Sequence, residues 1–329
     1  MAFVSRRTVA AGVAASAAMP RGKASAQTGA TYPERPIKII VPFATGGGAD
    51  LLARLMAPKV SEGLRQPVIV DNRPGAGTTI ASDLVAKAAP DGYTLLQVNR
   101  DMAISPSTYA TLPYDTLKSF AWIGKAADGP FVLVANPAVA VKSLAELTAL
   151  AKARPGTVAY GNLGIGGIAH LSVEALMRHL GIDLLQVPYK GAAPALAAAV
   201  SGEISITLAS LASVIPFVRE GRLRALAIGM ETRAAQLPEV PTIGEAGGGT
   251  DTILPTFVGF AAPAGTPQPI VARLNAELKR VLALPDLAEK MVQNGFVPAY
   301  STPEELAATM AKDVAHFGKL VQAIGITPQ

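Results

Sequence analysis

The residues best suited to chemistry lie in two glycine-rich turns, each between an apolar run and a helical pattern. The first turn, Gly46-Gly47-Gly48, follows the apolar run at 37–41 and is followed by Asp50. Glycine lets backbone approach a ligand closely, and the next helix offers free N–H groups with partial positive charge. The turn therefore predicts an anion pocket without a charged side chain, in which Asp50 caps the helix or holds the loop. A merely flexible turn is the alternative, and a P-loop is excluded because its Lys-Ser/Thr pair is missing.

The second glycine-rich turn, at 161–170, also follows a predicted strand and opens a predicted helix. The spacing of Gly164 and Gly166 suits a dinucleotide fingerprint, but that fingerprint needs an acid near the next strand's end, and 187–191 contain none. We therefore interpret it as a second anion-binding turn. His170 is expected to form hydrogen bonds at the start of the helix rather than to catalyse, because no nucleophile accompanies it.

Two further segments follow predicted strands, at the edge where open α/β sheets bind ligands. In Tyr189-Lys190-Gly191 the tyrosine could line a cleft, and the lysine either meets a carboxylate or, as we favour, is simply solvated. Arg100 either pairs with a ligand carboxylate through its planar fork or faces solvent beside Asp101. If the strand continues, these two neighbours point to opposite faces, and Arg100 can face the crevice alone.

The first 26 residues have the features of an export signal. They contain no acid, and their apolar stretch at 9–19 is too short to span a bilayer. Ala-Ser-Ala at 24–26 supplies a cleavage site. Adjacent Arg6 and Arg7 favour the twin-arginine route, with general secretion as the alternative. Either route takes the mature chain, from about Gln27, out of the bacterial cytoplasm.

Composition narrows the class of protein. The chain has 329 residues, of which 50% are hydrophobic and 16% charged, so it is long enough for about two folded domains. It contains no cysteine, which excludes disulfides, iron–sulfur clusters and cysteine zinc sites. Residues 1–26 hold four of the 29 basic residues, so beyond them 25 basic residues face 24 acidic ones. With no basic excess in the mature chain, nucleic acid is not an expected partner.

Strand and helix patterns alternate along the mature chain, which predicts an α/β fold with parallel strands and right-handed crossovers. Capping-box patterns at Ser143 with Glu146 and at Thr302 with Glu305 predict helix starts. The expected strands are 37–41, 68–70, 93–98, 158–160, 184–187, 204–208 and 225–228, and the expected helices include 51–62, 79–87, 267–282, 286–293 and one ending near 323.

Two similar apolar segments, 131–138 and 257–264, bracket part of this pattern. Both match Phe-Val-x-x-Ala-x-Pro-Ala, and the βα pattern between them could form a domain of its own. They suit a pair of hinge strands, where the chain leaves one lobe and later returns. Chance similarity between two buried strands before proline turns is the alternative.

Taken in order, several short motifs resemble the periplasmic receptors of tripartite tricarboxylate transporters, the Bug family of solute-binding proteins. Each motif alone is weak, but the ordered set covers nearly the whole mature chain. The matching segments are 33–37, 41–43 with 46–50, 70–76, 90–95, 112–115, 187–191, 237–242 with 245–247, and 260–267.

The resemblance implies a two-lobed periplasmic binding protein (type II-like, a Venus flytrap) with two hinge-crossing strands, which grips a carboxylate largely through backbone amides and water. The chain departs from the family pattern at Arg100-Asp101-Met102 and near Ala198, so the ligand's identity is not carried over. By motif position the implied ligand contacts are Phe43, Ala44, Gly46, Gly47, Asp50, Asn99, Arg100 and Ala103 in one lobe, and Asn162, Gly164, His170, Tyr189, Lys190 and Gly191 in the other.

Together these observations predict a periplasmic receptor with one lobe at 27–130 and 257–329 and the other at 131–256. It would bind a small organic anion, deliver it to membrane permease subunits, act as a monomer, use no cofactor or metal and catalyse no reaction. One alternative is an exported cofactor-binding enzyme. Another is a sensory partner that carries the same ligand to a signalling receptor.

Overall fold

The computed structural model describes residues 32–162, 166–189 and 192–328, so the predicted export signal and Gly164, Lys190 and Gly191 lie outside the described residues. The strands are β1 (Ile37–Val41), β2 (Val68–Asn72), β3 (Thr94–Val98), β4 (Phe120–Gly129), β5 (Phe131–Ala135), β6 (Ala159–Asn162), β7 (Leu185–Pro188), β8 (Ile206–Ser210), β9 (Arg224–Ile228), β10 (Thr256–Pro263) and β11 (Val297–Pro298). The helices are α1 (Gly48–Leu64), α2 (Thr79–Ala86), α3 (Arg100–Thr108), α4 (Leu144–Ala153), α5 (Ile168–Leu180), α6 (Ala192–Ser201), α7 (Leu211–Arg219), α8 (Gln268–Leu282), α9 (Pro285–Gln293) and α10 (Pro303–Ile324).

The strands form two sheets, in the orders β11-β4-β10-β3-β1-β2 and β7-β6-β8-β5-β9. The prediction of parallel strands is correct for β1 with β2 and β3, and for β6 with β7 and β8. It is wrong for β9, which pairs antiparallel with β5, and β4, β5 and β10 also have antiparallel pairings. These strands carry the chain between the sheets, and strands that are not joined by a helical crossover are free to run against their neighbours.

The chain passes between the two sheets at two adjacent points. β4 ends at Gly129, and a single residue, Pro130, leads into β5 of the other sheet. The chain returns at Thr256, which lies opposite Gly129 in the β4–β10 ladder. The similar apolar segment 131–138 contains β5, the strand that follows the outward passage. The second segment, 257–264, contains most of β10, the strand that follows the return.

The apolar residues pack into three clusters: a central one with residues from both sheets, one on the first sheet with α1 and α8, and one on the second sheet with α6 and α7. β5 reads Phe-Val-Leu-Val-Ala and is buried throughout, as expected for a strand covered on both faces. The last helix, α10, contributes Met310, Phe317 and Val321 to the central cluster. Thr302 and Glu305 form the predicted capping box at its start, so the first turn of α10 is fixed by two reciprocal hydrogen bonds.

Candidate functional site

A cavity of about 750 Å³ lies where elements of the two sheets face each other. Its walls are Phe43 after β1, the start of α2, one face of α3, the turn that opens α5, the first residue of α6, Phe131 of β5, and the chain's end at 326–327. This is the concave, mostly apolar kind of space in which small ligands bind. Of the described residues that line it, Asp101 carries the one charged side chain.

The α3 wall is a helical face. Asp101, Ile104, Ser105 and Thr108 line the cavity, and their spacing of three, four and seven residues puts them on one side of the helix. Ser105 Oγ lies 3.1 Å from the Asp101 carbonyl oxygen and 3.3 Å from that of Gly77, so it ties α3 to the start of α2. The result is a wall with one carboxyl group, two hydroxyls and an apolar side chain.

Asp101 connects the two sides of the cavity. Its Oδ1 accepts a hydrogen bond from the Ile168 backbone N–H at 3.0 Å, and its Oδ2 accepts one from Asn99 Nδ2 at 2.8 Å. Burial raises the pKa of the Asp101 carboxyl above its usual value, although both hydrogen bonds oppose the shift. Ile168 is the first residue of α5, so this carboxyl group binds the positive end of a helix across the cavity.

The turn before α5 is held from within by His170. The Gly166 N–H donates to His170 Nδ1 at 3.1 Å, and His170 Nε2 lies 3.6 Å from Glu174 Oε1. Hydrogen bonding from His170, supported by the Tyr160 hydroxyl at 3.1 Å, keeps the pKa of Glu174 below its usual range. His170 is therefore a hydrogen-bonding residue at the start of the helix, as we favoured.

Glycine is required at Gly166. Its φ is +79°, in the region that L side chains rarely adopt. An added Cβ would also lie only 3.2 Å from Thr108 Cγ2 of α3. The second glycine-rich turn thus comes close to α3 because it lacks a side chain there.

The start of α2 presents a buried polar group without a partner. Thr78 is 4% exposed, lines the cavity, and its Oγ1 makes no hydrogen bond within the described part of the chain. Its φ of +81° is an outlier for a β-branched residue, a conformation that costs on the order of 1–3 kcal/mol. Buried polar atoms are nearly always paired, so this hydroxyl is placed to meet a ligand or water.

The first glycine-rich turn contributes Phe43 to the cavity, while Ala44, Gly46 and Gly47 are exposed. Of the two roles expected for Asp50, the structure has the second: it holds the loop. Its Oδ2 accepts the Gly46 N–H at 2.9 Å, and its Oδ1 accepts Arg54 Nε at 2.9 Å. Burial alone would raise the pKa of Asp50, but these hydrogen bonds outweigh it and hold the pKa below its usual value.

Arg100 is not among the residues that line the cavity, and it does not face solvent either. The chain turns into a helix at Arg100 instead of continuing as a strand, so Arg100 and Asp101 are about 100° apart around an axis. Arg100 Nε lies 2.7 Å from Asp313 Oδ2 of α10, and its NH1 donates to the Pro255 carbonyl. The guanidinium, 5.6 Å from the Phe257 ring centre, ties α3 to α10.

Four further predicted residues that the structure describes are not among the cavity's lining residues: Asn99, Ala103, Asn162 and Tyr189. Ala103 is fully buried in the central cluster. Asn99 is 7% exposed and donates to Asp101. The Asn162 carbonyl accepts the Tyr189 N–H at 2.8 Å, and the Tyr189 hydroxyl donates to Glu203 at 2.8 Å. Their contact with a ligand stays a prediction.

Sequence reasoning missed the hydroxyl-bearing wall residues Thr78, Ser105 and Thr108. A signal was present for two of them, since Asp101, Ser105 and Thr108 recur at helical spacing. It went unused because the segment was interpreted as the end of a strand. Nothing in the sequence alone marked Thr78.

The described residues contain no helix long and apolar enough to cross a membrane. They also contain no group of three or more histidine, aspartate or glutamate side chains arranged to hold a metal ion.

Comparison with known proteins identifies the class. The chain is similar to the solved periplasmic binding protein BugD, at 33% identity over 91% of this chain and 100% of that one, with a TM-score of 0.79. It is similar to a protein of R. palustris solved with adipate, at 32% identity, 91% and 100% coverage and a TM-score of 0.81. MatC from Rhodopseudomonas palustris, with bound malate, shares 31% identity over 88% of this chain and 100% of that one, with a TM-score of 0.75.

These similarities define a two-lobed α/β fold of the periplasmic binding protein type, with a cavity between its two sheets. Residues 52–326 match the model of the tripartite tricarboxylate transporter family receptor. The chain belongs to this family, as the sequence motifs predicted. Because the family consists of solute receptors, the chain is a binding protein and not an enzyme, which removes the alternative of a cofactor-binding enzyme.

Proposed function

We propose that this chain is exported to the periplasm, captures a small organic carboxylate in the 750 Å³ cavity and delivers it to membrane permease subunits of the tripartite tricarboxylate type. The observation that carries the proposal is the partnerless Thr78 hydroxyl, buried at the start of α2 beside the cavity. With no basic side chain among the described lining residues, a carboxylate would be held by hydroxyls and helix-terminal N–H groups. Relatives solved with adipate and malate support a carboxylate ligand.

The lobes we propose are 27–130 with 257–329, and 131–256. The two passages between the sheets support this division, because Gly129 and Thr256 are direct neighbours and could flex together. Rotation about them would close the cavity on its ligand, as in hinge closure of other binding proteins.

Native mass spectrometry of protein purified without added ligand tests the proposal first. A monomer is expected, carrying a small acid of measurable mass. Calorimetry with that acid then tests the site. Thr78→Val keeps the β-branched shape and removes the hydroxyl, so we expect at least about tenfold weaker binding, about 1.4 kcal/mol.

Thr116→Val is the matched control. Thr116 is also 4% exposed with a partnerless Oγ1, but it lies outside the cavity lining. Its variant should bind as tightly as the unmodified protein. Equal affinity of the Thr78 and Thr116 variants would remove the α2 start from the site, and failure of every carboxylate to bind would end the proposal.

A further inference from the structure

One end of the cavity already holds a carboxyl group of the protein itself. Asp101 Oδ1 accepts the Ile168 N–H, the first amide of α5. The N-terminus of a helix carries partial positive charge and unpaired N–H donors, so it is where a ligand carboxylate would be expected to bind. At α5 the Asp101 carboxyl group, which comes from α3 on the other side of the cavity, occupies that position.

The opposite side of the cavity keeps free donor capacity. Thr78 Oγ1 is buried and partnerless within the described residues, and it precedes the first amides of α2. The hydroxyls of Ser105 and Thr108 line the same wall, but they already donate to backbone carbonyls of Gly77 and α3, so Thr78 supplies the free hydroxyl donor. One ligand carboxylate can be satisfied here without any charged partner.

Between these two ends the lining is apolar. Phe43, Ile104, Phe131 and Ile326 all border the cavity. A ligand that fills the cavity therefore binds more tightly if its body is apolar. A second carboxylate extended towards the Ile168 N–H would meet the oxygen atoms of Asp101 that already occupy it, and two acidic groups in contact repel or compete for one proton.

We propose that Asp101 makes this receptor selective for monocarboxylates with an apolar body, because its carboxyl group occupies the place that a second ligand carboxylate would need. The inference rests on the proposed function. It assigns Asp101 as the residue that determines specificity.

The test uses two pairs of acids that differ only by a second carboxylate: hexanoate with adipate, and benzoate with terephthalate. Calorimetry on the mature chain should show the monocarboxylate of at least one pair binding at least about tenfold tighter than its partner. In Asp101→Ser, which vacates the position, the dicarboxylate should gain at least about tenfold in affinity relative to the monocarboxylate. Asp101→Asn keeps the shape without the charge and should give a smaller gain.

Asp286→Ser is the matched control. Asp286 is also the second residue of its helix, but it lies outside the cavity and pairs with Lys59. Its variant should keep the preference of the unmodified protein. A tighter dicarboxylate in the unmodified protein, or a preference unchanged in both Asp101 variants, would overturn the inference while leaving the carboxylate receptor intact. If none of the four acids bound, the inference would be overturned, whereas the proposed function would be decided separately by the acid that native mass spectrometry finds on the purified protein.

Discussion

Arg100 and Asp101 are adjacent in the chain but serve opposite sides of α3. Arg100 is 13% exposed in its side chain and pairs with Asp313, which is 6% exposed, whereas Asp101 lines the cavity. A buried ion pair that loses one partner leaves an uncompensated charge, and that is costlier than the pair was favourable. The arginine therefore acts on stability and the aspartate on the ligand.

We expect Arg100→Ala to lower the free energy of unfolding by about 3–5 kcal/mol, because it leaves Asp313 buried without its partner. Urea denaturation measures this. Arg222→Ala, which breaks the exposed pair with Glu220, is the control and should cost less than about 1 kcal/mol. If the two variants were equally stable, the Arg100 pair would have no structural role.

The raised pKa of Asp101 predicts a pH-dependent stability. A carboxyl whose pKa is higher in the folded than in the unfolded state destabilises the fold when ionised. This effect is complete above the raised pKa and disappears as the pH falls to the ordinary value of 3.8. Asp101→Asn should therefore be more stable than the unmodified protein at neutral pH, and the difference should shrink on acidification.

The ionised carboxyl of Asp286 is expected to have the opposite effect on the stability of the fold. Hydrogen bonding from Lys59 lowers the pKa of Asp286, so its ionised form stabilises the fold above its unfolded-state pKa, and that contribution is lost as the pH falls. Asp286→Asn should be less stable than the unmodified protein at neutral pH. Denaturation curves for both variants at several pH values would contradict this account if the two differences had the same sign.

At the scale of elements, the sequence correctly predicted the helix starts that are determined by local side-chain hydrogen bonds. The capping-box pattern of Thr302 and Glu305 predicted the start of α10, and Ser143 caps α4 by accepting the Glu146 N–H at 3.2 Å. The helix α3 was missed because its sequence, with Pro106 and three hydroxyl residues near its end, has low helix propensity. Tertiary packing against α10 overrides that propensity, and packing of this kind is not visible in a single sequence.

The capping box of α10 should contribute measurably to stability. Thr302→Ala removes the side chain that accepts the Glu305 N–H, so we expect the free energy of unfolding to fall by about 1 kcal/mol. Thr309→Ala, at a half-buried position of the same helix where the hydroxyl donates only to the Glu305 carbonyl, should be neutral or slightly stabilising, since alanine is the better helix former. If both variants lost the same free energy of unfolding, the hydrogen bond of the Thr302 cap would contribute nothing specific to stability.

At the scale of the whole molecule, alternating βα units and the ordered motifs were enough to predict the fold. Phe43, beside the first glycine-rich turn, and Gly166, in the second, line the cavity, while the contact of these turns with a ligand stays a prediction. The side chains that complete it were harder to predict. Thr78, Asp101 and Ile326 come from distant parts of the chain, and only the packing of the two sheets brings them together.

Export concerns the molecule as a whole, because the twin-arginine route carries folded cargo while general secretion threads an unfolded chain. The leader combines Arg6 and Arg7 with an apolar core of small residues and with Arg21 and Lys23 near the cleavage site. Weakly apolar cores with basic residues behind them favour the twin-arginine route.

We therefore expect the charge-conserving change Arg6→Lys with Arg7→Lys to abolish periplasmic accumulation, as measured by immunoblotting of periplasmic and cytoplasmic fractions. Arg21→Lys with Lys23→Arg also conserves charge but leaves the pair intact, and should be exported normally. Normal accumulation of the Arg6 and Arg7 double variant would show that the chain crosses the membrane unfolded and forms its cavity only afterwards.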